Sequence, residues 1–317
     1  MKISIIIPVK PGGAVAALEA LRNIEAGSPD HEIIIAEGRR PSRQRNLAAA
    51  AAEGDLLYFL DDDAAAAPDA LKRIAAVFSD EKVVAVGGPS ITPATDSSFQ
   101  RAVARGLSST LGGGAIRNRY RRYGVVRDTN DCELILCNLA FRKDVFTTYG
   151  GLDERLYPNE ENELIDRLIA SGSRLVHDPD LFVVRSQRPN LKAFIRQMVT
   201  YGRGRAEQSL ITRTLSFKAL IPAMFAIYLV SLALLPLWWW YFLPAFVYLT
   251  AVSFNVLAAA AEEGIDIALR LPMIYTLLHF CYGAGFIAGI ISPRYKAAAG
   301  TPEEVLLRRV KQFGLEW

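Results

Sequence analysis

Histidine, cysteine and methionine are scarce in this chain of 317 residues, which contains 3, 3 and 4 of them. The cysteines Cys132, Cys137 and Cys281 do not have the spacing of a zinc site, and we expect no disulfide among them. The net charge of +3 is too small to indicate a nucleic-acid-binding protein. These shortages argue against a thiolate metal centre, a disulfide-rich scaffold and a nucleic-acid partner.

Charge is missing altogether from residues 219–261, where no Asp, Glu, Lys or Arg occurs. A helix of about 20 apolar residues crosses a bilayer, and this stretch is about twice as long. We therefore expect two membrane helices, joined near Pro236 and the aromatic residues 238–241, which are typical of a membrane interface. A buried hairpin in a soluble core is the alternative.

A third apolar run covers residues 271–291 and could cross the membrane, re-enter it or lie at its surface. Its flanks conflict, because acidic residues precede it and the basic residues Arg294, Lys296, Arg308, Arg309 and Lys311 follow it. Three crossings would place the basic tail outside, against the positive-inside rule. At the N-terminus the apolar run 3–9 is too short for a signal peptide, so we expect the catalytic part to stay in the cytoplasm.

Strand and helix patterns alternate along the first two hundred residues. Short β-branched runs predict strands at residues 3–9, 32–36, 55–60, 83–86, 134–141 and from 174, and helices are predicted at 14–24, 42–52, 68–78 and 160–171. This alternation predicts a mostly parallel, doubly wound α/β sheet with helices on both faces and ligands at the carboxyl ends of its strands. Residues 97–131 interrupt the pattern, and we assign this segment to substrate access.

Two acidic clusters carry the chemistry. Asp61, Asp62 and Asp63 follow a predicted strand directly, and carboxylates packed this closely are tolerable if Mg²⁺ or Mn²⁺ holds them and bridges a diphosphate. The segment 160–163 opens a predicted helix with three glutamates, and a carboxylate there can take the proton of an attacking hydroxyl. In each case the alternative is a set of acids that favour a helix N-terminus.

The motifs SIIIPVK, EIIIAEG, RQRN and YFLDDD resemble, in order and rough spacing, those of the family 2 inverting glycosyltransferases. The segments GGLDERLYPNEENELIDRL and RQMVTYGRGR resemble more narrowly the membrane-bound exopolysaccharide members, of succinoglycan type. The resemblance covers roughly residues 2–205 and more loosely the apolar tail. It implies a GT-A fold and a hexosyltransferase-like enzyme of polysaccharide biosynthesis with a nucleotide-diphosphate sugar donor.

The resemblance also implies roles for individual residues in the first half of the chain. Glu37 stands where the family usually has an aspartate that faces the base, and Arg45 and Asn46 match an arginine-asparagine pair near the nucleotide. The metal acids are Asp61 and Asp63, of which Asp63 is the more direct ligand. The implied nucleotide-sugar-binding residues are Pro8, Val9, Lys10, Glu37, Arg45, Asp61, Asp62 and Asp63.

In the second half, Glu161 occupies the place of the family's catalytic base, usually an aspartate, and Glu160 is a second candidate. His177 matches a metal-binding histidine of some members, although a lone histidine is more often structural. An element that closes over the donor diphosphate and acceptor is matched by Gln197, Tyr201, Arg203 and Arg205. Arginine suits phosphate because its planar fork pairs bidentately, and the alternative is a basic helix attracted to anionic lipids.

The sequence therefore predicts a cytoplasmic GT-A domain over residues 1–215, ending in an interfacial helix at about 190–215. Transmembrane helices follow over 216–292, and a basic tail over 293–317. We expect a protein of the inner membrane, with its catalytic domain on the cytoplasmic side, a lipid-linked, polyprenyl-type acceptor and contacts with membrane lipids. A nucleotidyltransferase and a non-catalytic nucleotide-sugar-binding subunit of a membrane complex are the alternatives.

Overall fold

The structure is a computed structural model that describes residues 1–215, 217–234, 238–295 and 304–315. The chain divides into two compact units. We call Met1–Ile91, Asn118–Arg185 and Ala299–Trp317 the sheet unit, and Thr92–Arg117 and Ser186–Ala298 the helical unit. Each unit is therefore assembled from segments that are distant in the sequence.

The sheet unit contains one large sheet and one small sheet. The strands are β1 Ile3–Val9, β2 His31–Glu37, β3 Leu56–Leu60, β4 Ala65–Ala66, β5 Val83–Gly87, β6 Ser90–Ile91, β7 Arg127–Asp128, β8 Asn138–Arg142, β9 Arg174–His177, β10 Val183–Val184 and β11 Leu306–Lys311. The large sheet has the order β11-β2-β1-β3-β8-β5-β9-β7, and β4, β10 and β6 form the small one. β1 is parallel to β2 and β3, and β5 to β9, whereas β8 runs antiparallel to both β3 and β5. The sheet is thus mixed, and the predicted GT-A-like architecture is confirmed.

Both faces of the large sheet are covered. The helices of the sheet unit are α1 Ala17–Leu21, α2 Pro41–Ala51, α3 Ala70–Val77, α5 Lys143–Thr148 and α6 Glu160–Ala170. In β1, Ile3, Ile5 and Ile7 contribute to one core cluster and Ile6 to the other. Successive side chains of a strand point to opposite faces, so burial on both faces explains why this strand is a continuous apolar run.

Some predicted boundaries were wrong. The helix predicted from residue 42 begins at Pro41, and the hydroxyl of Ser42 does not cap it but donates to the carbonyl of Leu156 at 2.7 Å. The strand predicted at 134–141 begins only at Asn138, whose N–H donates to Ile135 in a turn. The segment 97–131 is more regular than predicted, because it contains an α-helix at Ser98–Ser108 and a 3-10 helix at Gly114–Arg119.

The helical unit contains α4 Ser98–Ser108, α7 Leu191–Thr212, α8 Phe217–Leu234, α9 Leu243–Glu263, α10 Ile265–Ala268 and α11 Leu271–Ile291, with a 3-10 helix at Trp239–Phe242. α7 has nearly the bounds of the helix predicted at about 190–215, and its interfacial location stays a prediction. Among the described residues, Trp239–Glu263 and Ile265–Ile291 are long and apolar enough to cross a membrane, and Ala219–Leu234 is apolar but shorter. Pro236, the predicted turn, lies outside the described residues.

Candidate active site

The carboxyl end of β3 carries the first acidic cluster. All five residues of β3 are buried, and the chain continues directly into Asp61, Asp62 and Asp63. Because β1 runs parallel to β3, its end at Pro8 and Val9 lies at the same edge of the sheet. Partial burial, together with the charges of Asp63 and Asp61, raises the pKa of Asp62. The cluster therefore lies where the sequence predicted a ligand site.

Arg45 joins the two acidic clusters. Its guanidinium, on α2, lies 2.7 Å from Asp61 Oδ1 and 3.2 Å from Glu160 Oε1. The side chain of Arg45 is only 5% exposed and that of Glu160 only 2%, so this ion pair is shielded from water. The structure thus brings the predicted metal motif and the predicted base region together through one arginine.

Arg185 pairs with the other side of the same aspartates. It follows β10 in the chain, and its guanidinium lies 3.2 Å from Asp61 Oδ2 and 2.6 Å from Asp63 Oδ1. Arg185 could not be predicted from the sequence, because neither spacing nor a motif connects it with residues more than a hundred positions earlier. Two carboxylates thus converge on one cationic group.

The chemistry of these donors fits Mg²⁺ or Mn²⁺. Among the described residues, no group of three or more His, Cys, Asp and Glu side chains is arranged to hold a metal ion. Mg²⁺ commonly takes only one or two protein carboxylates, with substrate phosphates and water in its other positions. Asp61 and Asp63 could therefore hold such an ion together with a diphosphate, but not as a complete protein cage.

The second cluster begins at the N-terminus of α6. Asn159 precedes it with φ of 87°, a left-handed conformation that asparagine tolerates better than most residues. Burial, together with the charge of Glu161, raises the pKa of Glu160 to about 8, although Arg45 opposes the shift. Glu160 is therefore a carboxyl group that holds a proton unusually strongly.

Glu161 and Glu163 have different surroundings. Glu161 is largely buried and lies 4.0 Å from the guanidinium of Arg119. Glu163 pairs with Arg167 through both of its oxygens, at 2.7 and 2.8 Å, and Arg167 also donates to the carbonyl of Gly151. Glu163 thus helps to hold the loop before α6 through Arg167. The contact of Glu161 with Arg119, at 4.0 Å, is longer than that of Glu163 with Arg167.

Arg119 is a second functional candidate that no sequence motif marks. It belongs to the segment 97–131, predicted to serve substrate access, in which four arginines lie between residues 117 and 122. Its guanidinium donates to the carbonyl of Cys132 at 3.0 Å and to Asn162 Oδ1 at 2.7 Å, which fixes it beside α6. The dense basic run was the available signal, but only the fold shows which arginine faces the acids.

The predicted nucleotide floor lies at the ends of β1 and β2. Glu37 ends β2, and its carboxylate accepts the N–H of Gly12 at 3.0 Å. Lys10 is exposed, directly after the buried end of β1. The buried amide of Gln44 donates to the carbonyls of Val9 and Ala36, at 2.9 and 2.5 Å, and so ties the two strand ends together. Gln44 lies within the RQRN motif but was not predicted to have this role.

The candidates His177 and Asn46, and Asp178 beside His177, are buried or bonded within the protein. His177 is fully buried at the end of β9, and burial lowers its pKa. Asp178 is paired with Arg73 at 3.4 Å and accepts the N–H of Asp180. Asn46 holds the loop before α6, since its side chain bonds both the carbonyl and the N–H of Leu152.

The predicted diphosphate element lies on α7, in the helical unit. Gln197 donates to the hydroxyl of Tyr201 at 3.0 Å, Arg203 to the carbonyl of Ser292 at 2.7 Å, and Arg205 to Gln208 at 3.0 Å. These contacts are all internal to the helical unit. The role of these residues at a diphosphate stays a prediction.

Comparison with known proteins gives a consistent family. Residues 10–150 match the family model described as Glycosyl transferase family 2. The succinoglycan biosynthesis protein ExoA of Rhizobium meliloti is 26% identical over 268 residues, which are 80% of this chain and 75% of that protein. Residues 10–150 therefore form a family 2 glycosyltransferase domain.

One further curated protein and one solved structure are similar to this chain. A pre-mycofactocin glycosyltransferase of Mycobacterium tuberculosis is 28% identical over 162 residues, which span 51% of this glycosyltransferase but only 33% of that protein. A mannosyltransferase from Pyrobaculum calidifontis, solved in complex with GDP-Man and Mn²⁺, has a TM-score of 0.53 and 14% identity, with 91% of this chain and 86% of that chain covered. The structural likeness shows the fold, and the predicted family resemblance is confirmed.

The raised pKa of Glu160 predicts how the stability of the glycosyltransferase depends on pH. The unfolded chain loses this proton near pH 4.5, whereas the folded chain keeps it up to about pH 8. The folded state therefore binds more protons in this window, so its stability falls as the pH rises, by at most about 1.4 kcal/mol per pH unit. Thermal unfolding between pH 5 and 8 should show this fall, and Glu160→Gln should flatten it. The control Glu81→Gln, at an exposed loop, should keep the wild-type slope, and an unchanged slope in Glu160→Gln would refute the assignment.

Proposed function

We propose that this glycosyltransferase inverts the anomeric centre of a sugar as it moves the sugar from a nucleotide diphosphate to a lipid-linked acceptor, at the cytoplasmic face of the inner membrane. The observation that carries the proposal is the link from Asp61 through Arg45 to Glu160. Arg45 thus joins the acidic cluster proposed to face the phosphates with the region proposed to contain the base. An inverting displacement needs both groups in one site, because the acceptor attacks opposite the leaving diphosphate.

The donor would bind along the carboxyl ends of β1, β2 and β3. Pro8, Val9 and Lys10 would form the floor of the nucleotide site, with Glu37 facing the base and Arg45 near the phosphates. Asp61 and Asp63 would hold Mg²⁺ or Mn²⁺, which when bound would neutralise the charge of the leaving diphosphate. The GDP-Man and Mn²⁺ of the Pyrobaculum complex support a nucleotide-sugar donor and a divalent metal here.

Glu161 would act as the base. Its carboxylate would take the proton of the acceptor hydroxyl as that oxygen bonds to the anomeric carbon and the bond to the diphosphate breaks on the opposite side. Glu160 would serve as a positioning residue, because its contact with Arg45 is shielded from water and its carboxyl group retains a proton. This division of roles favours Glu161, which the family resemblance also placed at the base.

The apolar helices of the chain and the name of one relative support a lipid-linked acceptor. Two helical stretches are long and apolar enough to cross a membrane, and the relative ExoA is named for succinoglycan biosynthesis. A sugar acceptor on a polyprenyl-type carrier would be available at a membrane surface. No specific observation favours a nucleotidyltransferase, and the family match supports catalysis over a purely binding role.

A screen of nucleotide sugars with the full-length protein in lipid tests the proposal. Release of nucleoside diphosphate, transfer to a polyprenyl-linked saccharide and the configuration of the new bond should be measured together. We expect one donor to support transfer with inversion. A product that retains the donor configuration would refute the mechanism, and equal transfer to the same saccharide without its lipid would refute the acceptor.

Removal of divalent cations should abolish most of this transfer. We expect excess chelator to lower the rate by at least about 100-fold, because several kcal/mol of leaving-group stabilisation would be lost, and Mg²⁺ or Mn²⁺ to restore it. Asp63→Asn should weaken Mn²⁺ binding, as measured by electron paramagnetic resonance, while the exposed control Glu81→Gln should bind as the wild type does. Full activity in chelator would exclude the metal.

A further inference from the structure

A strand from the C-terminal part of the chain reaches the edge of the sheet where β1 and β2 end. β11 pairs antiparallel with β2, with Leu306 opposite Glu37 and Arg308 opposite Ile35. Because these two strands run in opposite directions, the beginning of β11 lies beside the end of β2. β1 is parallel to β2 and ends at the same edge. The beginning of β11 is therefore next to the donor site proposed above.

Alternate side chains of β11 point to opposite faces of the sheet. Leu307 packs against the core cluster that contains Ala36 of β2. Since successive side chains of a strand alternate between the faces, Leu306 and Arg308 share the other face with Glu37. Leu306 is 56% exposed, and the side chain of Arg308 is 51% exposed. β11 thus presents one apolar and one cationic side chain beside the carboxylate of Glu37.

The carboxylate of Glu37 and the guanidinium of Arg308 both keep hydrogen-bonding capacity. One oxygen of Glu37 accepts the N–H of Gly12 at 3.0 Å, and the other lies 4.0 Å from the guanidinium of Arg308. A separation of 4.0 Å is longer than a hydrogen bond. A carboxylate has several acceptor positions, and a guanidinium has several N–H donors. The two side chains therefore offer an acceptor and a donor, close together, to a ligand beside them.

The residue before β11 packs against the end of β2. A Cβ added at Gly38 would lie 3.4 Å from the side chain of Val305 and 3.1 Å from that of Gln44, so these three residues are closely packed. The amide of Gln44 in turn bonds carbonyls at the ends of β1 and β2. The proposed floor of the nucleotide site and the beginning of β11 are thereby parts of one packed edge.

Other residues of β11 hold the strand in place. The guanidinium of Arg309 lies 3.1 Å from a carboxylate oxygen of Glu32, which is 1% exposed. Lys311 donates to the carbonyl of His31 at 2.9 Å. A binding surface needs side chains on an element that is itself held rigidly. The exposed side chains of β11 are thus positioned by contacts that they do not make themselves.

We propose that the beginning of β11 forms one wall of the nucleobase site. Glu37 accepts an N–H of the base, Arg308 donates to the acceptor atom next to that N–H, and Leu306 packs against the apolar face of the ring. The proposal rests on the nucleotide-sugar donor proposed above. It adds to the donor site two residues that lie outside the family match at residues 10–150. Selection of the base then depends on the C-terminal part of the chain as well as on Glu37.

Nucleotide binding by the full-length protein tests this wall. Affinities for UDP, GDP, ADP, CDP and inorganic pyrophosphate should be measured by isothermal titration calorimetry in the presence of Mg²⁺. The variants are Leu306→Ala, Arg308→Met and the control Val310→Ala. Val310 is also an exposed residue of β11, at 37%, but it lies further along the strand from the edge. Because all three side chains are exposed, the variants should unfold at the wild-type temperature.

We expect Leu306→Ala and Arg308→Met each to weaken binding of the preferred nucleoside diphosphate by about tenfold and to narrow the preference over the other three. Val310→Ala and all pyrophosphate affinities should be unchanged. Wild-type affinity and preference in both variants would overturn the wall and leave the donor proposal standing. An equal loss of pyrophosphate affinity in Arg308→Met would show that this arginine binds phosphate and not the base, which also overturns the wall. A wild-type protein that binds none of the four nucleotides would overturn the donor proposal itself.

Discussion

Glu161→Gln is expected to lower the rate of sugar transfer by about 100-fold or more, the usual scale for loss of a general base, with little change in donor affinity. Glutamine has nearly the same size and keeps the hydrogen-bonding oxygen, but it cannot take a proton from the acceptor. The donor contacts proposed here lie at the ends of β1, β2 and β3, so the affinity for donor should change by less than about threefold.

Comparison of Glu160→Gln with Glu161→Gln separates the positioning role from the role of the base. Glu160→Gln replaces the carboxyl group that lies 3.2 Å from Arg45, so we expect weaker positioning of the donor as well as a slower rate. Measured separately, kcat should fall in Glu161→Gln, whereas KM for the donor should also rise in Glu160→Gln. If Glu160→Gln alone were inactive, Glu160 would be the base. If both variants kept the wild-type rate, neither glutamate would have the proposed role.

Truncation after Leu215 is expected to destabilise the sheet unit severely and not merely to release a soluble enzyme. It removes β11, and with it Arg309, the partner of the buried Glu32. Glu32 would keep the hydrogen bonds from the hydroxyl of Ser4 and the N–H of Glu53, both at 2.6 Å, but it would be left without this counter-charge. Removal of one partner of a buried ion pair costs roughly 3–5 kcal/mol, a large fraction of the stability of a domain.

Point variants of the full-length protein separate this ion pair from the loss of the strand. Arg309→Met should lower the free energy of unfolding by about 2 kcal/mol, less than for a fully buried pair because Arg309 is partly exposed. Adding Glu32→Gln should restore part of the loss, since the uncompensated charge disappears. Arg308→Met is the matched control, because its exposed contact with Glu37 is 4.0 Å long, and it should cost less than about 1 kcal/mol. Equal losses in the two arginine variants would show that Arg309 has no special role.

The sequence by itself determined the class of the sheet, the position of the acidic triplet and the family. β1 and β3 could be predicted because strands buried on both faces must be continuously apolar, and residues that follow parallel strands must share an edge of the sheet. The RQRN motif likewise gave Arg45. Each of these conclusions depends on neighbouring residues or on a motif with fixed spacing.

Only the tertiary structure decided which distant charges meet and what surrounds each apolar helix. Arg185 lies beside Asp61 and Asp63, and Arg309 beside Glu32, across separations that no local pattern encodes. α9 and α11 have similar composition, yet α11 is packed against α7 and α8 while most of α9 is exposed. Hydropathy measures only the preference of a segment to leave water, and both a protein core and a lipid bilayer satisfy it. The packing of the folded chain therefore decides between the two.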